Sequence, residues 1–431
     1  MKRSKNNSKR NGERGVVILL VAVFLLFVVG AMAALAIDLV TFYTARSEAQ
    51  LAADGAALAA ARVMANSGMT SNPTDFALVA NVEILARTVA TQVAIHNKVG
   101  GRFVKGSEIT ITIQPSPSIV AGSANPQVTV RISRTDLPTF FARIWGRTQV
   151  AVSASATAEA YNPSGLNNAV GQAPPVAPVC VKPWALPNLD PRNGTAIFNP
   201  ATGDIWDTTR ALLGYDLTTV PISMSAACTN CTNLVPPAPA AWKYYPGKPT
   251  SFPAPTQSLP ICSTALTTNY QMTVAGCVQT PISCSSTVDL DNLNYPNRDA
   301  ETADAVNCLT HSVNGNGDRL DLTGGPNPPF EFIAGDDNPL ALPTGTKLLV
   351  SDSLVTVPVI DTVNPPLNSG STTAPVIGFV QLFLNPDGLS APASGQIQTR
   401  VVNIVGCGTN ATGQPVQGNG GSAVAVRLVS P

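Results

Sequence analysis

The chain has 431 residues, with 26 Lys and Arg against 26 Asp and Glu, two histidines and eight cysteines. With the six basic residues and one acidic residue of the first 15 positions set aside (26 minus 6, and 26 minus 1), 20 basic face 25 acidic residues, which excludes a broad nucleic-acid-binding surface. No H-E-x-x-H, G-x-S-x-G or Walker A sequence occurs, so no catalytic residue, cofactor or metal is expected.

Residues 1–15 form a basic tail in which Lys2, Arg3, Lys5, Lys9, Arg10 and Arg14 outweigh Glu13. The run Val16–Ile37 follows, 22 residues without a charge. At about 1.5 Å per residue it spans roughly 33 Å as a helix, enough to cross a bilayer core. The positive-inside bias keeps the tail in the cytoplasm and exports residues 38–431. The competing reading is a cleavable signal peptide, with A-x-A-like sites at Ala31-Met32-Ala33 and Ala34-Leu35-Ala36. Its apolar region would exceed the usual length of about 7–15 residues, which favours a retained single-pass anchor.

Beyond the span the helical pattern continues to about Met64, without proline and with one glycine. Small side chains crowd one another here and invite close approach of another helix. Asp38, Ala49, Ala52, Ala53, Asp54, Ala56, Ala57 and Ala60 are the candidates for that packing. The alternative is that alanine serves only helix propensity on an exposed stalk.

These residues resemble a known family. Arg14-Gly15, the apolar span, Ala36-Ile37-Asp38, Tyr43 and A-x-L-A-A-D-G-A-A-L-A-A-A from Ala49 are similar to the N-terminal module of TadE/TadG-like proteins of the bacterial tight-adherence (Flp, type IVb) pilus assembly system. The resemblance implies a minor-pilin-like or pseudopilin-like helix held in the inner membrane, with the remainder periplasmic or extracellular, and pilus or secretion-system proteins as partners. Processed prepilins of this kind carry Glu five residues after the cleaved Gly. Leu20 stands there, so peptidase processing is not expected. The D-x-S-x-S metal motif of the von Willebrand A domains found in some members is also missing, Leu354 and Thr356 replacing its serines after Asp352.

Asn72 as N-cap, Pro73 at the first turn, apolar residues at 76, 79, 82, 85, 89 and 93, and Gly100-Gly101 as terminator predict a second, amphipathic helix. His96 lies near its end, where it favours the helix dipole. Period-2 strands are expected at 108–113, 127–133 and 149–158, with a short helix over 137–145. Residues 38–161 thus read as a pilin-like helical stalk and small α+β module, and 162–179, rich in Pro, Gly and Asn, as a linker.

Residues 180–431 hold every cysteine: Cys180, Cys228, Cys231, Cys262, Cys277, Cys284, Cys308 and Cys407. In an oxidising compartment an even number implies disulfides, and eight cysteines allow about 105 connectivities. A Cys3His zinc set from Cys228, Cys231, Cys308 and His311 is formally possible, as is a redox role for the C-x-x-C, but disulfides are the stronger reading. Acidic residues at 289, 291, 299, 301, 304, 318, 321, 336 and 337 lack calcium-loop spacing and read as solvated loop charge. Strands at 348–360, 376–384, 396–406 and 423–430 make this part mainly β, as a sandwich or an irregular sheet. Val357-Pro358-Val359-Ile360-Asp361 and Gly378-Phe379 also resemble TadG-like C-terminal regions, less specifically.

The expected class is therefore α+β: a transmembrane pilin-like helix and small α+β module, then a disulfide-rich, mainly β extracytoplasmic domain. Two functional readings stand, a structural or assembly component acting by helix packing with pilin-like partners, and a membrane-tethered module that binds a surface ligand.

Overall fold

The computed structural model describes residues 9–72, 74–114, 125–161, 178–201, 203, 205–214, 216–221, 241–256, 259, 262, 265–284, 286–291, 298–323, 327–362, 372–393, 395–407 and 424–429. A single helix, α1, runs over Lys9–Ala65. Its apolar half projects freely and its alanine half is enclosed by the rest of the chain.

Helix α2, Phe76–Ile95, starts at Asp75, whose Oδ1 accepts from the amides of Ala77 (3.1 Å) and Leu78 (3.0 Å). The cap thus sits three residues beyond the expected Asn72, and Pro73 lies outside the described residues. His96 closes the helix with Nδ1 2.7 Å from the Gln92 carbonyl. Gly100 and Gly101 do not terminate α2. They turn the chain between β1 (Lys98–Val99) and β2 (Arg102–Phe103), at φ +56° and +85°, the left-handed values that a two-residue hairpin loop of this type requires.

Strands β3 (Ile109–Gln114), β4 (Gln127–Pro138) and β5 (Gln149–Tyr161) pair antiparallel. Val128, Val130 and Ile132 lie opposite Ala158, Ala156 and Ala154, and all six point into the core. α1 lies against this surface, so alanines of the helix meet alanines of β5 and the two backbones approach closely. On its other side α1 receives Ala86, Ala90 and Ala94 of α2, an i, i+4 row that again admits close packing. The predicted helix over 137–145 is mostly absent: β4 continues to Pro138, and only a 3-10 turn remains, Ala142–Trp145. Beside the hairpin, Asp136 bonds Arg134 Nε (2.8 Å) and Arg102 Nη2 (2.7 Å), and these guanidinium groups hold its carboxyl down to about 2.

The distal part is built on β6 (Trp184–Pro187), β7 (Asp216–Pro221), β8 (Ala241–Pro246), β9 (Thr287–Asp289), β13 (Leu354–Ile360), β14 (Thr373–Leu384) and β15 (Ile397–Gly406), with β10 (Arg319–Asp321), β11 (Glu331–Ile333) and β12 (Lys347–Leu348) forming a small separate sheet. The order β13-β6-β8-β7-β15-β14 returns to β13, because β13 and β14 also pair, so these six strands close on themselves, where a sandwich or an irregular sheet was expected. Closure removes free edges. The two segments that resemble TadG-like regions are ladder partners, Pro358 with Phe379 and Val359 with Gly378. A Cβ at Gly378 would come within 2.4 Å of the buried Phe198 ring, so this position needs glycine. Trp184, Trp242, Tyr244, Phe198 and valines of β13 fill the interior. Three disulfides, Cys180–Cys277, Cys262–Cys308 and Cys284–Cys407, bridge Cα atoms 4.3, 5.3 and 5.5 Å apart. Cys228 and Cys231 lie outside the described residues.

The strand expected at 423–430 is present as β16, Ala425–Val429, but it does not join the distal sheet. It pairs antiparallel with β5, Ala425 opposite Tyr161 and Val429 opposite Thr157. Arg427 Nε donates to the buried carboxylate of Glu159 at 2.5 Å and fixes this register. The end of α1 is seated on the distal unit: Asn403 Nδ2 donates to the Ala65 carbonyl (2.6 Å), and Ser71 Oγ donates to the Ile404 carbonyl (2.7 Å).

Candidate assembly interface

Most of the large exposed apolar side chains among the described residues lie on the apolar half of α1. Its large side chains from Val16 to Ile37 stand exposed, Phe27 at 78 % and Leu26 at 75 %. This many apolar residues on one helix, with no polar face, demand lipid or other helices rather than water.

Asp38 ends that surface. It is the first charge after the span, yet it is only 1 % exposed. Its Oδ1 accepts from the amides of Phe140 (3.0 Å) and Phe141 (3.3 Å), and its Oδ2 from Phe141 (3.1 Å) and Ala142 (2.7 Å). These are the donors that open the 3-10 turn, so a mid-helix carboxylate caps a turn roughly one hundred positions away in sequence. Sequence reasoning placed Asp38 among helix-packing residues; the structure makes it a clamp between the end of the span and the β4–β5 turn.

The alanine face is occupied. Ala49, Ala52, Ala53, Ala56, Ala57 and Ala60 are fully buried, not against a partner helix but between β4, β5 and α2 of the same chain. The physical reason is the alanine-rich β5, whose small inward side chains complement a small-residue helix as well as another helix would. Asp54 is half-buried and bonded to Gln50 Nε2 at 2.7 Å. The large apolar side chains that α1 leaves exposed are those of the span, with Leu39, Val40, Tyr43 and Leu51 beyond it.

No cluster of three or more metal-ligating side chains occurs among the described residues. Cys308 is bonded to Cys262, which removes it from the formal zinc set. The acidic residues disperse: Asp318 is buried and accepts from Gly335 N, Asn338 Nδ2 and Ser351 Oγ, whereas Asp299, Glu301 and Asp304 belong to the helix Arg298–Leu309.

A cleft of about 420 Å3, not foreseen from the sequence, lies where α1 meets the distal unit, with Arg62, Lys182, His311 and Asp352 set among apolar residues such as Leu309 and Leu349. His311 Nε2 lies 3.1 Å from Asp352 Oδ2, and that bond raises its pKa. Lys182 is 4 % exposed, with Nζ donating to the Gly276 carbonyl at 2.7 Å, and burial lowers its pKa from 10.5 to about 7. A lysine depressed in the folded state costs stability in full below the folded value, and the cost fades as pH rises to the unfolded one. Stability is thus expected to climb by a few kcal/mol between pH 7 and 10.5 from this group. Thermal unfolding against pH checks it: Lys182→Met should flatten that rise, and a slope identical to the parent's refutes the assignment.

Residues 15–63 match the family model described as Flp pilus-assembly TadE/G-like. The matched segment covers the span, Asp38 and almost the whole alanine face. No curated relative and no solved structure matches the chain.

Proposed function

We propose that this chain is a non-enzymatic structural component or assembly factor of a Tad/Flp-type pilus, held in the bacterial inner membrane by Val16–Ile37 with its N-terminal tail cytoplasmic. The observation that supports this most is the coincidence of the matched residues 15–63 with a helix whose large apolar side chains from Val16 to Ile37 are exposed and whose later alanines are built into a folded module. That arrangement carries a rigid connection from bilayer to distal unit through one unbroken helix. Its action is association: the span packs with pilin-like helices in the membrane, and the closed β unit, braced by disulfides suited to an oxidising compartment, works outside it.

The second reading, a tethered module that binds a surface ligand, draws on the cleft at the junction, where Lys182, His311 and Asp352 stand. Replacing Val16–Ile37 by an unrelated apolar span of equal length separates the two. Under the assembly reading pilus formation and recovery of pilin-like partners fall at least tenfold while insertion persists. If both persist and only surface attachment depends on the distal unit, the span is a tether and the binding reading holds.

A further inference from the structure

We infer that the β4–β5 turn, Thr139–Thr148, is a second membrane contact: it lies in the interfacial layer of the bilayer leaflet through which α1 emerges, with the phospholipid headgroup and upper acyl region as its occupant. This rests on reading Val16–Ile37 as the membrane span.

Position argues it first. Asp38 is the residue immediately after the span and holds the amides of Phe140, Phe141 and Ala142, so the turn stands at the height where the helix leaves the hydrocarbon. Ala34, one helical turn earlier and about 6 Å deeper, is also buried at 7 %, while Ala33, Leu35 and Ile37 beside it are exposed. The covered face of α1 thus runs into the apolar stretch, and the turn contacts α1 just above it, at Asp38.

Chemistry argues it second. Phe140 is 63 % exposed, although its own amide is fixed, and Leu39, Val40 and Tyr43 of α1 are exposed at the same level. Arg46, Arg143 and Arg147 are exposed around them. Aromatic and aliphatic side chains ringed by arginines suit a bilayer interface, where rings sit at headgroup level and guanidinium groups meet phosphates. In open water the same patch would leave a phenylalanine and three aliphatic or aromatic neighbours unsatisfied. The satisfied backbone matters too, because Asp38 pairs the amides that would otherwise enter the interface without acceptors.

The test uses the full chain in phospholipid nanodiscs, with the photo-crosslinking residue p-benzoylphenylalanine replacing Phe140, Phe27 in the span, or Leu389 on the distal surface. Adducts with alkyne-tagged phosphatidylglycerol are read after illumination. The expected result is lipid adduct at positions 140 and 27, each at least fivefold above position 389. Adduct at 27 with only background at 140 overturns the inference and leaves the span intact. Adduct to protein instead of lipid at 140 overturns it in favour of a partner contact. Background at both 27 and 140 removes the span reading and the inference with it.

Discussion

Ala53→Leu and Ala57→Leu are each expected to destabilise the membrane-proximal module by about 2–3 kcal/mol, the upper range for overpacking a filled core. Both alanines are fully buried and belong to the same core as Ala154, Ala156 and Ala158 of β5. Three extra carbons have no void to enter, so the helix and sheet must separate along the contact. Limited proteolysis of the full chain in detergent reads the effect as faster cleavage within 125–161 with unchanged membrane insertion. Wild-type protease resistance in both variants, with a pilin-like partner lost, would show instead that the alanine face serves another helix.

Asp38→Ala carries the second large effect. It strands three backbone donors and removes the anion from the start of the 3-10 turn, and hydrogen bonds to a charged acceptor contribute about 1.5–3 kcal/mol each, not additively. A loss of about 2–4 kcal/mol in the anchoring of this turn is expected, and roughly half of that for Asp38→Asn, which keeps one acceptor oxygen. Hydrogen exchange at the amides of Phe140, Phe141 and Ala142 measures it directly. Exchange rates in Asp38→Ala within twofold of the parent would mean that the clamp contributes little.

Much of this architecture is legible in the chain because its signals are local. Twenty-two uncharged apolar residues followed by an alanine-rich, proline-free stretch can hardly be anything but one helix; it ends at Ala65, one residue past the expected Met64, and begins at Lys9, seven residues before Val16. Alternation of β-branched residues marks β3 and β4 for the same reason. What escapes is everything set by distant partners. The helix anticipated at 137–145 shrinks to a turn because β4 and β5 stay paired as far as Pro138 and Gln149, which leaves too few residues between them for a helix. Strands β6, β7 and β8 carry prolines and lack clean alternation, so the six-stranded closure they complete leaves no periodic trace. Cysteine spacing is silent among about 105 pairings. The alanines named from the sequence are buried between the chain's own sheet and α2, neighbours that no local pattern names. A small-residue face declares that something packs closely and says nothing of whether it is a helix or the chain's own sheet.

The pairing of β16 with β5 bears on the order in which the protein can be made. Tyr161 leaves the first sheet and Ala425 re-enters it at the adjacent position, so everything between them is an insertion into a sheet that was begun long before. If export proceeds from the N-terminal side, β5 waits with an open edge, and Glu159 without Arg427, until residues 425–429 have crossed. A chain interrupted anywhere in the distal unit keeps that edge bare, where it can pair with another chain. The four-stranded sheet is therefore complete only once the last described strand, 264 positions after Tyr161 (425 minus 161), has reached it.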